Sequence, residues 1–371
     1  MKTYLKSVTN NRDIELFLIN NNIEDSSKLL IQLFCAEADL ALIKDFQDFF
    51  SKNFPKATLI GSTSDGTIEN STVDSKYRSV VVFTTFDKTT LSSVLLEHLP
   101  TSHNDLDLGK RVATVLIKED TKLLITFTDG LHTNGEEYVK GIEQVSKNSV
   151  IAGGMAGDNG LLKETFVFDK NSITSNGAIG VALSSKELQV MSDYSFDWSA
   201  IGKKLTVTKA VKNRALDIDG VSVGRAVLQK HNDGSLAFAG NIAEGATVRF
   251  GVGNIDALIK KGNFQIERML QNAKFQPETF FIYSCMARRR FIGEHISEEI
   301  KPYADLAPTA GFFTYGEFYH LNSKNQLLNE TMTVVALCEN SKSNKVVLED
   351  FKHSPQKLEI NPLHGTLEVG L

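Results

Sequence analysis

One pattern recurs along this chain and restricts its fold more than any other: an apolar run of strand length that opens directly onto a polar loop. It stands in "TLIGSTSDG" (58–66), "KLLITFTDG" (122–130) and "TFFIYSCMARRR" (279–290). Around the first of these the surrounding unit is complete. "KLLIQLFCA" (28–36) reads as a strand, and residues 38–54 then carry Leu42, Phe46, Phe49 and Phe50 at helical spacing up to Pro55. Strand, helix and strand in so short a span predict a βαβ crossover and a partly parallel sheet. Pockets in such sheets form outside the carboxyl ends of strands, so parallel runs would let the three loops line one cavity.

The pattern extends through most of the chain. "YRSVVVFTTF" and "LSSVLLEHL" predict a hairpin turning at "DKTT", and 104–118 a helix with Leu108, Val112 and Val115 or Leu116 on one face. Asn134 is placed to cap a further helix, with Glu137 at the capping-box position and Tyr138, Ile142 and Val145 facing inward. Residues 164–211 are β in character, a helix is expected over 222–231 and another over 256–271, and the aromatic stretch 309–321 reads as one strand. The last thirty or so residues show no period and predict an irregular tail. The fold class is α/β: two domains on mixed β-sheets with flanking helices, their halves able to interlock. The boundaries set an N-terminal extension over 1–27, domains over 28–205 and 206–340, and a C-terminal tail over 341–371.

Composition removes several function classes. A formal charge of −5 argues against a general nucleic-acid binder, and the lone basic triplet Arg288–Arg290 is too short to track phosphates. No apolar run reaches the roughly 20 residues that span a bilayer, and the N-terminus lacks a signal-peptide core. Three scattered cysteines form neither a disulfide framework nor a zinc pattern, which suits a reducing cytoplasm. His98 and His103 are separated by Pro100 with no cysteine nearby, so no metal or other cofactor is expected.

The triplet after "FFIYSC" carries the strongest chemistry. On a helix begun near 286, Ile292, Ile296 and Ile300 define a buried face; Arg288 and Arg289 fall near it, and Arg290 points to water. A buried guanidinium needs an anionic partner, which a fixed carboxylate or a ligand can supply. Cys285 lies at the helix start beside these charges, where its thiol pKa should fall. Cysteine catalysis would also need a histidine base; His295 is more than two turns away, and His132 is the other histidine in a candidate loop.

Alternation along 309–321 places Tyr315, Glu317 and Tyr319 on one face, with Glu317 expected to pair with Arg288, Arg289 or the amine of a ligand, or else to face solvent on an edge strand. "GGMAGDNG" (153–160), which includes Gly154, fits neither a Walker loop nor G-x-G-x-x-G and reads as a turn requiring positive φ, with Asp158 toward a pocket. An arginine for a carboxylate, an acid for an ammonium and aromatics for the body would suit a free amino acid.

These stretches together resemble the FIST family of paired N- and C-terminal sensory domains, found in prokaryotic signalling proteins and a eukaryotic F-box protein. "GSTSDGTI" (61–68), "DG" (129–130) and "IAGGMAGDNG" (151–160) match the first half; "GKKLTVTKA", "LDIDG", "DGSLAFAGNIAEGATVRFGVGN", "YSCMARRRFIG", "AGFFTYGEF" and "NETMTVVAL" match the second. Ala287 departs from the glycine frequent in the family after Cys-x. The resemblance implies an intracellular sensor of a small molecule such as an amino acid or similar carboxylate. No kinase, cyclase, chemoreceptor or F-box segment is recognised in the sequence, so a signalling kinase, cyclase or chemoreceptor would act in trans, or the chain is a lone sensor, or it is part of a longer protein. The expected ligand site comprises Cys285, Arg288, Arg289, Tyr315 and Glu317, joined by Asp129, Asn134, Gly154 and Asp158 from the first half. A cysteine-dependent hydrolase or transferase using Cys285 is the alternative, and a protein-interaction scaffold the second.

Overall fold

A computed structural model describes residues 1–339 apart from 75–76, 101, 103, 208–226, 231–235, 243, 246 and 274. Element order falls into three units of the same design, β-α-β-α-β-β-β-β. The first comprises β1 (Lys2–Val8), α1 (Asn11–Asn21), β2 (Leu29–Cys35), α2 (Leu40–Asn53), β3 (Thr58–Thr63), β4 (Thr67–Glu69), β5 (Thr72–Asp74) and β6 (Ser79–Thr85). The second repeats it as β7 (Thr90–Glu97), α3 (Asp105–Leu116), β8 (Thr121–Thr128), α4 (Gly135–Val145), β9 (Val150–Met155), β10 (Val167–Phe168), β11 (Ile173–Thr174) and β12 (Gly177–Ser184). The third opens with β13 (Gln189–Ser195) and then makes an excursion through β14 (Ser199–Thr206), β15 (Val227–Lys230), β16 (Leu236–Phe238) and β17 (Thr247–Val252). It resumes with α5 (Ile255–Asn272), β18 (Thr279–Cys285), α6 (Met286–Ile292), α7 (Ile296–Ala304), β19 (Thr309–Thr314), β20 (Glu317–Leu321), β21 (Lys324–Leu328) and β22 (Met332–Cys338).

Each unit has one parallel pair, β2 with β3, β8 with β9 and β18 with β19, joined by a helical crossover as the sequence pattern predicts. Each six-stranded sheet is then completed by a hairpin from a neighbouring unit. β4 pairs with β19, β10 with β3 and β20 with β9, all antiparallel, so the exchange runs cyclically through the three units. The halves of the chain are interlocked by this exchange.

Polar N-caps start the outer helices. The side chains of Asn10, Asp39, Asn104, Asn134 and Asn254 accept from backbone N–H groups in the first turns of α1 to α5. The helices lie on the outer sheet faces, those of each unit over their own apolar cluster. The inner faces of all three sheets share one central core. At its heart Phe312 packs against Phe34 (4.8 Å between centroids), Phe127 (5.3 Å) and Tyr283 (5.7 Å).

Several expectations are corrected. β6 and β7 form no hairpin: β6 pairs with β1 and β2, and β7 with β12 in the next sheet, because "DKTT" is a crossing between units. The stretch 309–321 is two strands in different sheets, broken at Tyr315–Gly316. Val145 is 42 % exposed at the end of α4, whereas Tyr138 and Ile142 are buried. Residues 227–230 are strand, not helix. The rest of the expected 222–231 helix and the 341–371 tail lie outside the described residues. Phe312→Ala is expected to lower stability by about 3–5 kcal/mol in chemical denaturation, as for a large aromatic removed from a packed core. Phe264→Ala, at a 67 % exposed position, should shift it by less than about 0.5 kcal/mol.

Candidate functional site

Loops at the carboxyl ends of the strands do meet, at the crossings between units. Asp65 N–H donates to the Phe313 carbonyl (2.8 Å), Gly157 N–H to Thr63 (3.1 Å) and Tyr315 N–H to Met155 (3.1 Å), one contact per pair of units. The arginine triplet enters this junction on α6. Ile292, Ile296 and Ile300 are buried as the helical projection requires, although the helix breaks at Gly293 (φ 65) into a tight turn before α7.

The three arginines take different partners. Arg288 is fully buried, and its anion is a fixed one: Nε donates to both oxygens of Glu299 (2.8 and 3.0 Å), and Nη2 to Glu299 and to Ser195 Oγ (3.1 Å). Arg289 pairs with Asp65, reaches Asn159 Oδ1 at 3.4 Å and lies over the Phe313 ring at 5.7 Å. Arg290, expected in water, pairs with Asp65 at 3.0 Å while 44 % exposed. Asp65 is thus clasped by two guanidiniums; burial nevertheless raises its pKa, the arginines opposing. It was missing from the predicted set, although its loop "STSDG" belongs to the recurring pattern with which the chain is read.

Glu317 does not meet an arginine side chain. Its carboxyl accepts from Thr314 Oγ1 (2.6 Å) and Thr331 Oγ1, and Thr331 N–H lies at 3.4 Å. Strand alternation fails to place it because Tyr315–Gly316 redirects the chain into another sheet. Full burial pushes its pKa to about 8, with the threonine hydrogen bonds and Arg288 working against the rise. Cys285, 3 % exposed, is also corrected: burial first, then Glu317, lifts the thiol well above its ordinary value instead of lowering it.

The remaining predicted residues organise loops. Tyr315 donates its hydroxyl to Asp158 and accepts from Asp158 N–H (3.2 Å) and Gly160 N–H (2.9 Å). Burial would raise the pKa of Asp158, but Tyr315 and the N–H groups of Lys163, Glu164 and Leu162 bring it below the usual value. Asp129 accepts from Leu131, His132, Thr133 and Gly177 N–H groups, closing its own turn. Asn134 caps α4 and donates to Asn241 Oδ1 at 3.0 Å. Gly154 faces Glu317 in the β9–β20 register, and a Cβ there would lie 2.6 Å from the Gly316 carbonyl, so its smallness serves packing. Asp65, Asp158, Arg289 and Tyr315 therefore share one junction, while Arg288, Asp129 and Asn134 are drawn into separate contacts.

A cavity of about 610 Å³ opens beside the arginine helix, between the end of β13 and α5. Its walls include Tyr194, Ser195, Phe196, Asp197 and Trp198 from the chain after β13, and Phe264, Gln265, Glu267, Arg268 and Gln271 from α5. Arg288 supports this wall from behind: besides Ser195 it approaches the Phe196 carbonyl (3.3 Å), and Ser195 Oγ donates to Asp197 at 2.7 Å. Trp198 donates to the Glu330 carbonyl (2.9 Å) and packs on Phe291 of α6 at 5.0 Å. Sequence reading missed these residues. The available signal was "DYSFDW" (193–198), which alternates acids with aromatics and holds the chain's single tryptophan.

Three interlocked α/β units with an amphipathic cavity define the class, a mixed α/β protein with the means to hold a small ligand. The FIST N domain pattern matches residues 29–221 and the FIST C domain pattern 188–320, and the chain belongs to the FIST family, whose domains are sensory, ligand-binding modules of signal transduction. No curated protein matches the chain. Among solved structures it is similar to the cyanuric acid hydrolase from A. caulinodans, with 8 % identity and a TM-score of 0.42 over 91 % of this chain and 99 % of that one.

Two outcomes test the buried acid–base contacts. The folded protein holds the Glu317 proton to about pH 8, whereas an unfolded chain releases it near 4.5. The stability this contributes is complete below about pH 4.5 and is lost as pH rises toward about 8. Glu317→Gln should flatten the fall in melting temperature across that window; an unchanged pH profile would contradict the assignment. Arg288→Met leaves the carboxylate of Glu299 buried without its guanidinium and should cost about 3–5 kcal/mol in urea unfolding.

Proposed function

We propose that this protein is a cytoplasmic sensor that binds a free amino acid or a similar small carboxylate, without turnover, in the cavity between β13 and α5, and that it passes the signal to a separate kinase, cyclase or chemoreceptor. The observation carrying this reading is the chemistry of the cavity wall. Arg268 brings a guanidinium that pairs with Asp193 at 2.7 Å and would exchange that partner for a ligand carboxylate, Asp197 and Glu267 bring acids of the type that meets an ammonium, and Tyr194, Phe196, Trp198 and Phe264 supply apolar surface for the body. Sequence reasoning sought this set of groups elsewhere in the chain; the cavity wall offers the same residue types.

Location supports the same reading. The cavity adjoins the excursion through β14 to β17, where the third unit departs from the design of the other two. Trp198 and Arg288 link its wall to α6, and α6 carries Arg289 and Arg290 to the junction of the three units. Occupancy could thereby bias loops contributed by the whole chain. A binding role without catalysis accords with a buried Cys285 whose thiol pKa is raised by burial, since the thiolate is the nucleophile in cysteine chemistry. Cys35 and Cys285, buried as thiols, accord with a reducing compartment.

A thermal-shift series over L-amino acids and short carboxylates is the test. A ligand should raise the melting temperature progressively with its concentration, because it binds the native state selectively. Arg268→Ala should weaken that ligand at least about tenfold, the loss of one charge-assisted contact, while Arg289→Ala leaves its affinity within about twofold. The opposite pattern would move the site to the strand-end junction and overturn the assignment to this cavity.

A further inference from the structure

The excursion of the third unit begins and ends at the cavity. β14 follows Trp198 of one wall, and β17 leads through Asn254 into α5, the other wall. These two strands form an antiparallel ribbon, and among the described residues no third strand pairs with either. Its register slips once. Ile201 stands opposite Phe250 and Leu205 opposite Val248, so residues 202–204 bulge opposite Arg249 alone. Lys203 and Lys204 lie in that bulge, and three positive charges are thereby gathered at one point of the ribbon.

This arrangement works against the ribbon's own stability. Like charges set across a strand pair repel, and a two-stranded ribbon has little stability to spare. Neither strand contains an acidic residue, and among the described residues Lys203, Lys204 and Arg249 enter no ion pair. All three are exposed, and so are Ile201, Leu205 and Val252 beside them. The whole chain carries a formal charge of −5, so the ribbon is opposite in sign to the molecule that bears it.

We infer that the β14–β17 ribbon is the docking surface for a protein partner, which contributes an acidic, β-branched segment as a third, extended strand. This deepens the sensor reading by naming the chemistry of the separate protein, and it rests on that reading in requiring one. The open edges supply backbone N–H and C=O groups for strand addition. The three cations meet the carboxylates of the added strand, and the exposed apolar side chains meet the residues between them. The same cations repel a second copy of the ribbon, so the edge is closed to self-pairing and open to a chain of opposite charge. Three charges are too few to track nucleic-acid phosphates. Because the ribbon joins the two cavity walls, a shift of either wall reaches the docking surface directly.

The test measures binding of the full chain, with no amino acid added, to a labelled peptide alternating aspartate and valine. Its asparagine–valine counterpart and vesicles of phosphatidylcholine with phosphatidylserine are the comparisons. The aspartate peptide should bind about tenfold or more tighter than the asparagine peptide, and should weaken as salt is raised. The combined variant Lys203→Gln, Lys204→Gln, Arg249→Gln should lose about tenfold or more toward the aspartate peptide. Its melting temperature without peptide should be no lower than that of the unaltered protein, since exposed like charges have been removed. Methylating the backbone nitrogens along one edge of the peptide should abolish binding, because strand addition uses those N–H groups. Equal binding of the two peptides, unchanged binding by the variant, or binding that survives methylation on either edge overturns the inference. So does the absence of peptide binding, and vesicle binding in its place would make this a lipid-facing surface. Each of these failures leaves the cavity assignment intact, because the thermal-shift response to a small ligand is read without the partner.

Discussion

Every six-stranded sheet in this protein is finished by strands that belong to another unit. An open sheet edge presents unpaired N–H and C=O groups, and here the hairpins β4–β5, β10–β11 and β20–β21 cover the exposed sides of β19, β3 and β9. The exchange is cyclic, so no unit can complete its sheet while its neighbours are absent. It also closes the inner faces of all three sheets around one core, with Phe312 of the third unit wedged among aromatics from each. The strand-end loops are obliged to meet because the chain crosses between units at these points.

That closure explains the distribution of charge. The crossings bury backbone and polar side chains that need satisfied partners, and Asp65, Arg289, Arg290, Asp158 and Tyr315 answer one another there. Arg288 faces the other way on the same short helix, where Glu299 neutralises it and Ser195 ties it to the cavity wall. One triplet therefore connects the junction of the units to the place where the third unit departs from the repeat.

Much of the architecture was legible. Uninterrupted apolar runs, the Asn134 cap and helical spacing located β2, α2, β8, α4, α5 and β18, and the recurrence of strand-to-loop stretches marked the loops that converge. The failures share one cause. "DKTT" and "TYG" look like features of local hairpins or continuous strands, yet each is a passage from one sheet to another, and a pairing partner far along the chain leaves no local trace. Glu317 was misplaced for this reason: Tyr315 and Gly316 reset the alternation that should have oriented it.

Sequence by itself determined the periodicities, the Asn134 cap and the inward bias of Arg288 and Arg289, because these depend on spacing within one element. Only the tertiary structure decided what those groups meet. Helical geometry could require an anion for Arg288, but Glu299 as that anion, Asp65 between two arginines and the upward shift of the Cys285 thiol follow from burial and from contacts between elements. The cavity is likewise beyond local reading, since its two walls, 194–198 and 264–271, become neighbours only when the chain returns from its excursion and lays α5 along β13.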